Sequence, residues 1–279
     1  MRTFLISVTI SLAAGTAFAQ QRPLLTEDPE TIGAGRLLLE GGVEFDRDVI
    51  YPVSGLQGNL LRVPVVGLSI GVSSIAEIQF DQVSFSRLDI KARRTAPLSD
   101  LVTATGSSTS DADDVLVGAK VRIAPEGTRR PAFGFRFATK LPNAGNESGL
   151  GLDTTDFFSS ILVGKTTQSV RIVGNIGLGI LGDPTNGNRQ NDVVIYGVSF
   201  ARAITNEAEV VGEVNGRANT RAAGPLPGTE SRSIVRMGLR YTTGGLRGDA
   251  AVLLGATNND PGIGFTAGFT YAFTAFQVP

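Results

Sequence analysis

The chain has 279 residues and nearly balanced charges, with 25 Lys and Arg against 26 Asp and Glu, which argues against a nucleic-acid-binding protein. It contains no Cys and no His, which excludes disulfide bridges, thiolate sites, histidine metal ligands and catalytic triads built on an imidazole. Carboxylate pairs and Ser–Lys chemistry survive these exclusions, but the composition favours a protein that is not an enzyme and carries no cofactor or metal.

The first nineteen residues have the pattern of an export signal. Arg2 supplies a positive start, the stretch from Phe4 onward is apolar or small apart from a few Ser and Thr, and Ala17 and Ala19 occupy the −3 and −1 positions of a signal-peptidase site. We expect Sec-type export, with cleavage after Ala19. No stretch of eighteen apolar residues follows, so the sequence predicts no membrane-spanning helix.

The rest of the chain consists of short segments in which large apolar residues alternate with small or polar ones. In one such segment, Phe133, Phe135 and Phe137 fall on one face of a strand, and Arg136 and Lys140 fall on the other. The pattern predicts twelve strands. They cover residues 37–47, 59–71, 75–86, 114–124, 131–141, 154–164, 170–181, 193–203, 207–217, 232–242, 246–256 and 263–273.

The links between these strands alternate in length, and the longest covers residues 87–113. Bacterial outer-membrane barrels alternate short periplasmic turns with longer outer loops in this way, and an even strand number closes the sheet without a free edge. The sequence therefore predicts an all-β fold, a single antiparallel transmembrane β-barrel of about 12 strands over residues 37–273. Residues 20–36 would form a periplasmic N-terminal segment and residues 274–279 a C-terminal tail.

The third predicted strand breaks the alternation. Glu77, Gln79, Val83 and Phe85 are separated by even numbers of residues, so a regular strand would place these polar and apolar side chains on the same face. An extra residue in one strand restores the alternation beyond it, which predicts a β-bulge near Gln82.

The last predicted strand has alternating aromatic residues and an inner glycine. Gly268, Phe269, Tyr271 and Phe273 resemble the terminal strand that the barrel-assembly machinery of the outer membrane recognises. Six residues follow Phe273, whereas many such proteins end at this position. We interpret these four residues as an assembly signal.

Four further segments carry a family resemblance through their order and spacing. Residues 26–36 read TEDPETIGAGR, residues 114–122 DVLVGAKVR, residues 140–142 KLP and residues 149–157 GLGLDTTDF. Together they resemble the outer-membrane family named for a meta-cleavage pathway of phenol degradation. The resemblance implies a transporter-like barrel for small hydrophobic or aromatic compounds, and it transfers no functional residue.

Charged side chains of both signs fall on the inner faces of the predicted strands. They can pair across a packed lumen and close it, or line a polar channel and set its selectivity. Small barrels fill their interiors with side chains, which favours the closed lumen; a hybrid would have a packed middle and a ligand pocket under the loops. The lumen-lining candidates are Glu40, Glu44, Asp46, Lys120, Arg122, Arg136, Lys140, Glu209, Glu213, Arg217, Arg236 and Arg240.

The leading functional hypothesis is an outer-membrane channel or transporter-like barrel of a Gram-negative-type bacterium. Its expected partners are outer-membrane lipid, the barrel-assembly machinery and a small-molecule solute, with no nucleic acid. One alternative is a plugged structural or ligand-binding barrel that acts through its extracellular loops, notably 87–113 and 218–231. Another is a soluble periplasmic β protein, because the absence of Trp and the presence of only four Tyr leave the expected aromatic girdles thin.

Overall fold

The computed structural model describes residues 22–277, so the predicted export signal, residues 1–19, lies outside the described residues. Nearly all of the regular structure is antiparallel strand. Two single-turn 3₁₀ helices cover Ser99–Leu101 and Asn146–Ser148. The strands are β1 (Arg36–Ile50), β2 (Leu56–Gly71), β3 (Ala76–Arg93), β4 (Ser108–Ala112), β5 (Val115–Ala124), β6 (Ala132–Leu141), β7 (Asp156–Thr167), β8 (Val170–Gly182), β9 (Gln190–Ala203), β10 (Ala208–Asn219), β11 (Arg232–Thr243), β12 (Leu246–Gly255) and β13 (Ile263–Thr274).

The sheet closes on itself. Apart from β4 and β5, strands that follow one another in the chain pair antiparallel, and β1 pairs with β13 from Arg36 opposite Thr274 to Arg47 opposite Ile263. Strand β4 pairs with residues 85–89 in the C-terminal part of β3, and β5 pairs with residues 76–81 in its N-terminal part. Because only residues 113–114 separate β4 from β5, these two strands are two parts of one interrupted strand. The prediction of a twelve-stranded antiparallel β-barrel is confirmed.

The two ends of the barrel differ. One end, called the turn end below, holds the start of β1, the end of β13 and the short links between strands, such as residues 168–169 and 244–245. The other end, called the loop end, holds the longer links, such as residues 142–155 and 220–231. This is the predicted alternation of short turns and long loops.

The bulge expected in the third strand is present. Val66 of β2 pairs with Val83 of β3, but Leu68 pairs with Phe80, so β3 carries an extra residue between these pairs. Gln82 has a φ of 61°. Because the bulge resets the alternation, Glu77 and Gln79 are buried inside the barrel while Val83 and Phe85 are exposed on its outside.

The prediction that residues 87–113 form a loop is wrong in part. Strand β3 continues to Arg93, and residues 108–112 are β4. In this extension Leu88 points inward, fully buried, and packs with Val49, Leu56 and Leu60. On the outer face of this extension Arg87 and Asp89 are 58% and 69% exposed, so a charged outer face replaces the apolar one and hides the strand from a search for apolar outer faces.

Elsewhere the outward face is apolar. Phe133, Phe135 and Phe137 are 40%, 38% and 53% exposed, whereas Ala132 and Ala138 on the inner face of the same strand are 0% and 2% exposed. Within residues 22–277 no helix has the length and apolar character needed to cross a membrane.

Candidate functional site

The chain ahead of β1 lies inside the barrel. We call residues 22–35 the N-terminal segment. Its first residue, Arg22, donates hydrogen bonds to Asp249 on β12 and Thr266 on β13, and Thr26 binds Glu213 on β10. The described part of the predicted periplasmic segment, residues 20–36, therefore lies within the barrel. Their backbone and acidic groups find partners among the inner-face charges, which would otherwise be buried without compensation.

A cluster of buried charges surrounds Glu27. Its carboxylate oxygens lie 3.2 Å from Lys120 Nζ and 3.1 Å from Arg136 Nε. Lys120 is fully buried and lies 3.0 Å from Glu77, and Arg136 lies 2.7 Å from Asp81. Burial acts to raise the pKa of Glu27, but Lys120, Arg136 and hydrogen bonds outweigh it, so the pKa is below its ordinary value. Glu27 is held as a carboxylate at neutral pH.

Two polar side chains hold the backbone of the segment. Glu213 accepts hydrogen bonds from the backbone nitrogens of Leu25 and Thr26, at 2.9 and 2.8 Å, and from Thr26 Oγ1 at 2.7 Å. The amide of Asn175 accepts from the backbone nitrogen of Glu27 at 2.7 Å and donates to its carbonyl oxygen at 2.8 Å. These contacts use backbone groups that no sheet or helix satisfies.

Acidic side chains of the segment also reach basic residues near the turn end. Asp28 Oδ1 lies 2.7 Å from Arg171 Nη2 on β8, and Glu30 Oε2 lies 2.5 Å from Arg122 Nη1 on β5. The backbone nitrogen of Ile32 donates to Glu77 at 2.8 Å. Between Arg22 and Ile32 the segment thus contacts strands on opposite sides of the interior.

Glycines on the inner face make room for the segment. A Cβ on Gly134 would lie 3.1 Å from Pro29 Cα, and one on Gly164 would lie 3.0 Å from Pro29 Cδ. A Cβ on Gly197 would lie 2.8 Å from Thr26 Oγ1. A side chain at these positions would push the segment away from the barrel wall.

Six of the twelve predicted lumen-lining residues contact this segment. Glu40 accepts a hydrogen bond from the backbone nitrogen of Arg22 at 3.2 Å, and Arg240 donates one to the carbonyl oxygen of Arg22 at 2.7 Å. The six are Glu40, Lys120, Arg122, Arg136, Glu213 and Arg240.

The other six predicted residues have different partners. Glu44 and Asp46 pair with Arg62, Arg236 pairs with Glu213, Glu209 lies near Arg240 and Arg247, Lys140 pairs with Asp114 and Asp156, and Arg217 binds backbone carbonyl oxygens. Four other residues that bind inside the barrel were not predicted from the sequence: Glu27, Arg62, Glu77 and Asn175. Glu77 could have been found from the predicted bulge, which places it on the inner face.

A cavity of about 440 Å³ lies between the N-terminal segment and the links at the loop end. Its lining includes Leu116, Leu150, Leu152, Phe158, Leu181 and Ile195 on the apolar side, and Tyr51, Arg136, Lys140, Asp156, Arg217 and Arg232 on the polar side. Burial raises the pKa of Tyr51, which follows β1 in the loop-end link, to about 12. Its hydroxyl therefore keeps its proton and can donate a hydrogen bond.

The cavity reaches from the loops down to the segment. Its roof includes Ser54, whose hydroxyl donates to the carbonyl oxygen of Gly149 at 2.7 Å and so joins two loop-end links. Its floor includes Arg136, whose guanidinium contacts Glu27. A molecule in the cavity would therefore lie next to a group that anchors the N-terminal segment. Among residues 22–277 no group of three or more acidic residues is placed to hold a metal ion.

Neither a protein-family profile nor a curated protein sequence matches the chain. Among solved structures it is similar to an outer membrane channel from Pseudomonas putida F1, with a TM-score of 0.63 and 12% identity over 88% of this chain and 98% of that one. It is also similar to the NanC porin, with a TM-score of 0.51 and 10% identity over 84% of this chain and 98% of that one. At these identities the similarity concerns the fold, and the chain has the fold of outer-membrane β-barrel channels.

Proposed function

We propose that this chain is a transporter-like barrel of the bacterial outer membrane. A small solute, hydrophobic or aromatic in part, binds in the loop-end cavity and passes toward the periplasm when the N-terminal segment moves. The observation that carries the proposal is a ligand-sized cavity inside a closed barrel, directly above a segment that fills the opposite half.

The outer surface supports a membrane location. Large apolar side chains such as Ile161, Ile176, Leu178, Leu239 and Phe269 are between 43% and 61% exposed and lie on the outward faces of the strands. A soluble protein rarely exposes a contiguous apolar surface of this kind, whereas a lipid-facing barrel requires one. Closure through β1 and β13 joins the ends of the sheet, and the second edge of the short strand β4, at the loop end, is the one edge without a strand partner among the described residues. A hydrocarbon environment demands such closure around the middle of a barrel. These features disfavour a soluble periplasmic β protein.

The cavity supports a small solute. Ligand sites in proteins occupy roughly 300–1,000 Å³ and combine apolar walls with a few placed polar groups. This cavity has apolar walls from four strands and from loop-end links, together with the Tyr51 hydroxyl and several cationic groups. Neither a catalytic base nor a nucleophile is indicated by the composition, so the proposal includes no chemical step.

The contacts of the segment support its movement. It is anchored mainly by hydrogen bonds and ion pairs, through Glu213, Asn175, Lys120 and Arg136, and water can take over such bonds when the segment leaves. Leu24 and Ile32 are its only deeply buried large apolar residues among those described. Release therefore exposes little apolar surface.

Targeting and assembly belong to the same proposal. Sec-type export with cleavage after Ala19 would deliver the chain to the periplasm. The terminal strand with Gly268, Phe269, Tyr271 and Phe273 would then engage the barrel-assembly machinery. In β13 the three aromatic side chains are 36–44% exposed on the outward face, where another protein can reach them before closure.

The second candidate function is a plugged barrel that binds a solute or a partner through its outer loops without passing it on. The filled turn end favours it, because Lys120 and Glu77 are almost completely buried there. The two candidates differ in one measurable property, the passage of a solute across the outer membrane.

The experiment is uptake of N-phenyl-1-naphthylamine, which fluoresces on reaching the membrane interior, by Gram-negative cells that express the chain. Leu116→Trp fills the cavity and should reduce the rate to that of cells without the protein. Leu239→Trp makes the same type of change on the outward face, where Leu239 is 59% exposed, and should leave the rate unchanged. Equal rates in the parent and Leu116→Trp cells would contradict transport through the cavity. Membrane fractionation and a heat-modifiable gel band verify that each variant is an assembled barrel.

A further inference from the structure

Two arginines face each other across neighbouring strands at the loop-end cavity. Arg217 of β10 and Arg232 of β11 are directly opposite one another in the strand register, and both line the cavity. Side chains at such positions have Cβ atoms about 5 Å apart, and like charges placed there destabilise the sheet. The pair therefore needs a compensating charge.

The protein does not supply that charge as an ion pair. Arg217 donates to the backbone carbonyl oxygens of Glu230 and Gly228, at 2.9 and 2.8 Å. Arg232 donates to the carbonyl oxygen of Ile50 at 3.3 Å, and its Nε is buried without a hydrogen-bond partner among the described residues. Within residues 22–277 neither guanidinium forms a salt bridge, unlike Arg62, Arg136 and Arg236 inside the same barrel.

The nearby carboxylates have other partners. Asp156 is 2.9 Å from Lys140 and accepts from the backbone nitrogen of Gly182. Asp260 Oδ2 accepts from the backbone nitrogen of Ser233 and from Thr257 Oγ1, while its Oδ1 is buried without a hydrogen-bond partner among the described residues. Glu230 accepts from the backbone nitrogen of Gly228 at 3.0 Å, while its second oxygen is buried without a partner. The cavity lining itself has four cationic side chains and one carboxylate.

We infer that the loop-end cavity binds a small amphipathic carboxylate, whose carboxylate group lies between Arg217 and Arg232 and whose ring or chain lies against the apolar wall. A guanidinium presents a planar fork of N–H donors that matches a carboxylate, and two of them can hold one anion. The free donor of Arg232 is then satisfied, and the repulsion between the two arginines is offset. The wall for the apolar part includes Leu152, Phe158, Leu181 and Ile195.

This inference rests on the proposed function, since it names the class of solute that the cavity takes. It adds a charge requirement that an apolar cavity alone does not have. A neutral compound of the same shape would fill the same space but leave the arginine pair without a directly bonded anion.

The test is calorimetric titration of the purified barrel in detergent micelles with 2-naphthoate and with its neutral analogue 2-naphthamide, against empty micelles. We expect the carboxylate to bind the parent at least about tenfold more tightly than the amide, because charge-assisted hydrogen bonds are the stronger class. In Arg217→Gln/Arg232→Gln this preference should fall to about twofold or less, with binding of the amide retained. Arg221→Gln is the control: it removes one positive charge from an exposed residue of the link between β10 and β11 and should keep the preference.

Folding provides a second readout. Since a ligand that binds only the folded state stabilises it, 2-naphthoate should raise the melting temperature of the parent more than that of Arg217→Gln/Arg232→Gln. Equal affinities for naphthoate and naphthamide, or a preference that survives the double substitution, would overturn the inference and leave the proposed function intact. Inorganic phosphate binding as tightly as naphthoate would show a plain anion site and overturn the amphipathic part. Failure of both naphthalene compounds to bind would overturn the cavity as a solute site.

Discussion

Lys120 is the buried charge on which the turn end of the barrel depends most, and its removal should be measurable. The ammonium group is completely buried, 3.0 Å from Glu77 and 3.2 Å from Glu27. Lys120→Met keeps the apolar stem and removes the charge. Two carboxylates then face each other in a buried site without the cation that lay between them.

The cost follows from the contacts that remain. Breaking a buried ion pair by removing one partner destabilises a protein by about 3–5 kcal/mol. Glu27 retains Arg136 at 3.1 Å, and Glu77 retains hydrogen bonds from Gln79 and from the backbone of Ile32. We therefore expect a loss near the lower limit, about 3 kcal/mol in the free energy of unfolding.

The assay is urea unfolding of the refolded barrel in lipid vesicles, followed by the heat-modifiable gel band and by far-ultraviolet circular dichroism. Lys91→Met is the control, because Lys91 pairs with Asp48 at 3.0 Å but both side chains are 47% exposed. That pair should contribute less than about 1 kcal/mol. Lys120→Met/Glu77→Leu removes the second buried charge and should recover much of the loss. If Lys120→Met unfolds like Lys91→Met, or the double variant is no more stable than the single one, the cluster is not the anchor described here.

Three further predictions concern the segment and assembly. Asn175→Ala removes two hydrogen bonds from the backbone of Glu27, about 1–3 kcal/mol of anchoring, and should make conducting events in planar bilayers more frequent; unchanged conductance would refute this anchor. Lys120 and Arg136 lower the pKa of Glu27 in the folded barrel. The Glu27 carboxylate therefore anchors the segment fully at a pH above its unfolded-state pKa. This anchoring is lost as the pH falls through the folded-state pKa. Conductance should therefore rise on acidification, and less so in Glu27→Gln. Phe273→Ser should lower the amount of barrel in the outer membrane of cells without lowering the yield of refolding in vitro, and a parallel loss in both would indicate a folding defect.

The strands of this barrel could be predicted because their outward faces obey one simple rule. Phe133, Phe135 and Phe137 alternate with small or charged residues, and the requirement for an apolar outside and a filled inside leaves little choice of register. The bulge at Gln82 followed from the same rule, since only an extra residue reconciles Gln79 with Val83.

Two parts of the fold lie beyond that rule. In the C-terminal part of β3, Leu88 faces the interior and charged residues face outward, so the outward face is not apolar there. The N-terminal segment has no repeating pattern, and its partners are far away in the chain: Glu27 contacts Lys120 at a separation of 93 residues and Asn175 at a separation of 148. Charge complementarity between Glu27 or Asp28 and the inner-face cations was visible in the sequence, but nothing local indicated that the segment folds back into the barrel.

The candidate site was predictable to a similar extent. The alternation along the strands showed that charged residues such as Lys120, Arg136 and Arg217 face the interior. It did not show which of them contact the N-terminal segment and which line the cavity. That division depends on which residues the segment covers. It also explains why the arginine pair at positions 217 and 232 has no carboxylate partner, since the acidic residues of the segment lie at the other end of the barrel.

A reversible lock on the N-terminal segment tests whether passage through the barrel requires this segment to move. A Cβ placed on Gly197 would lie 3.5 Å from Thr26 Cβ, at the short limit of the Cβ–Cβ distances that disulfides span, about 3.5–4.5 Å. The chain has no native Cys, so Thr26→Cys/Gly197→Cys introduces a single possible bridge. In planar-bilayer recordings of this variant, we expect no conducting events when the bridge is oxidised and conducting events after reduction. Equal conductance of the oxidised and reduced protein would contradict it.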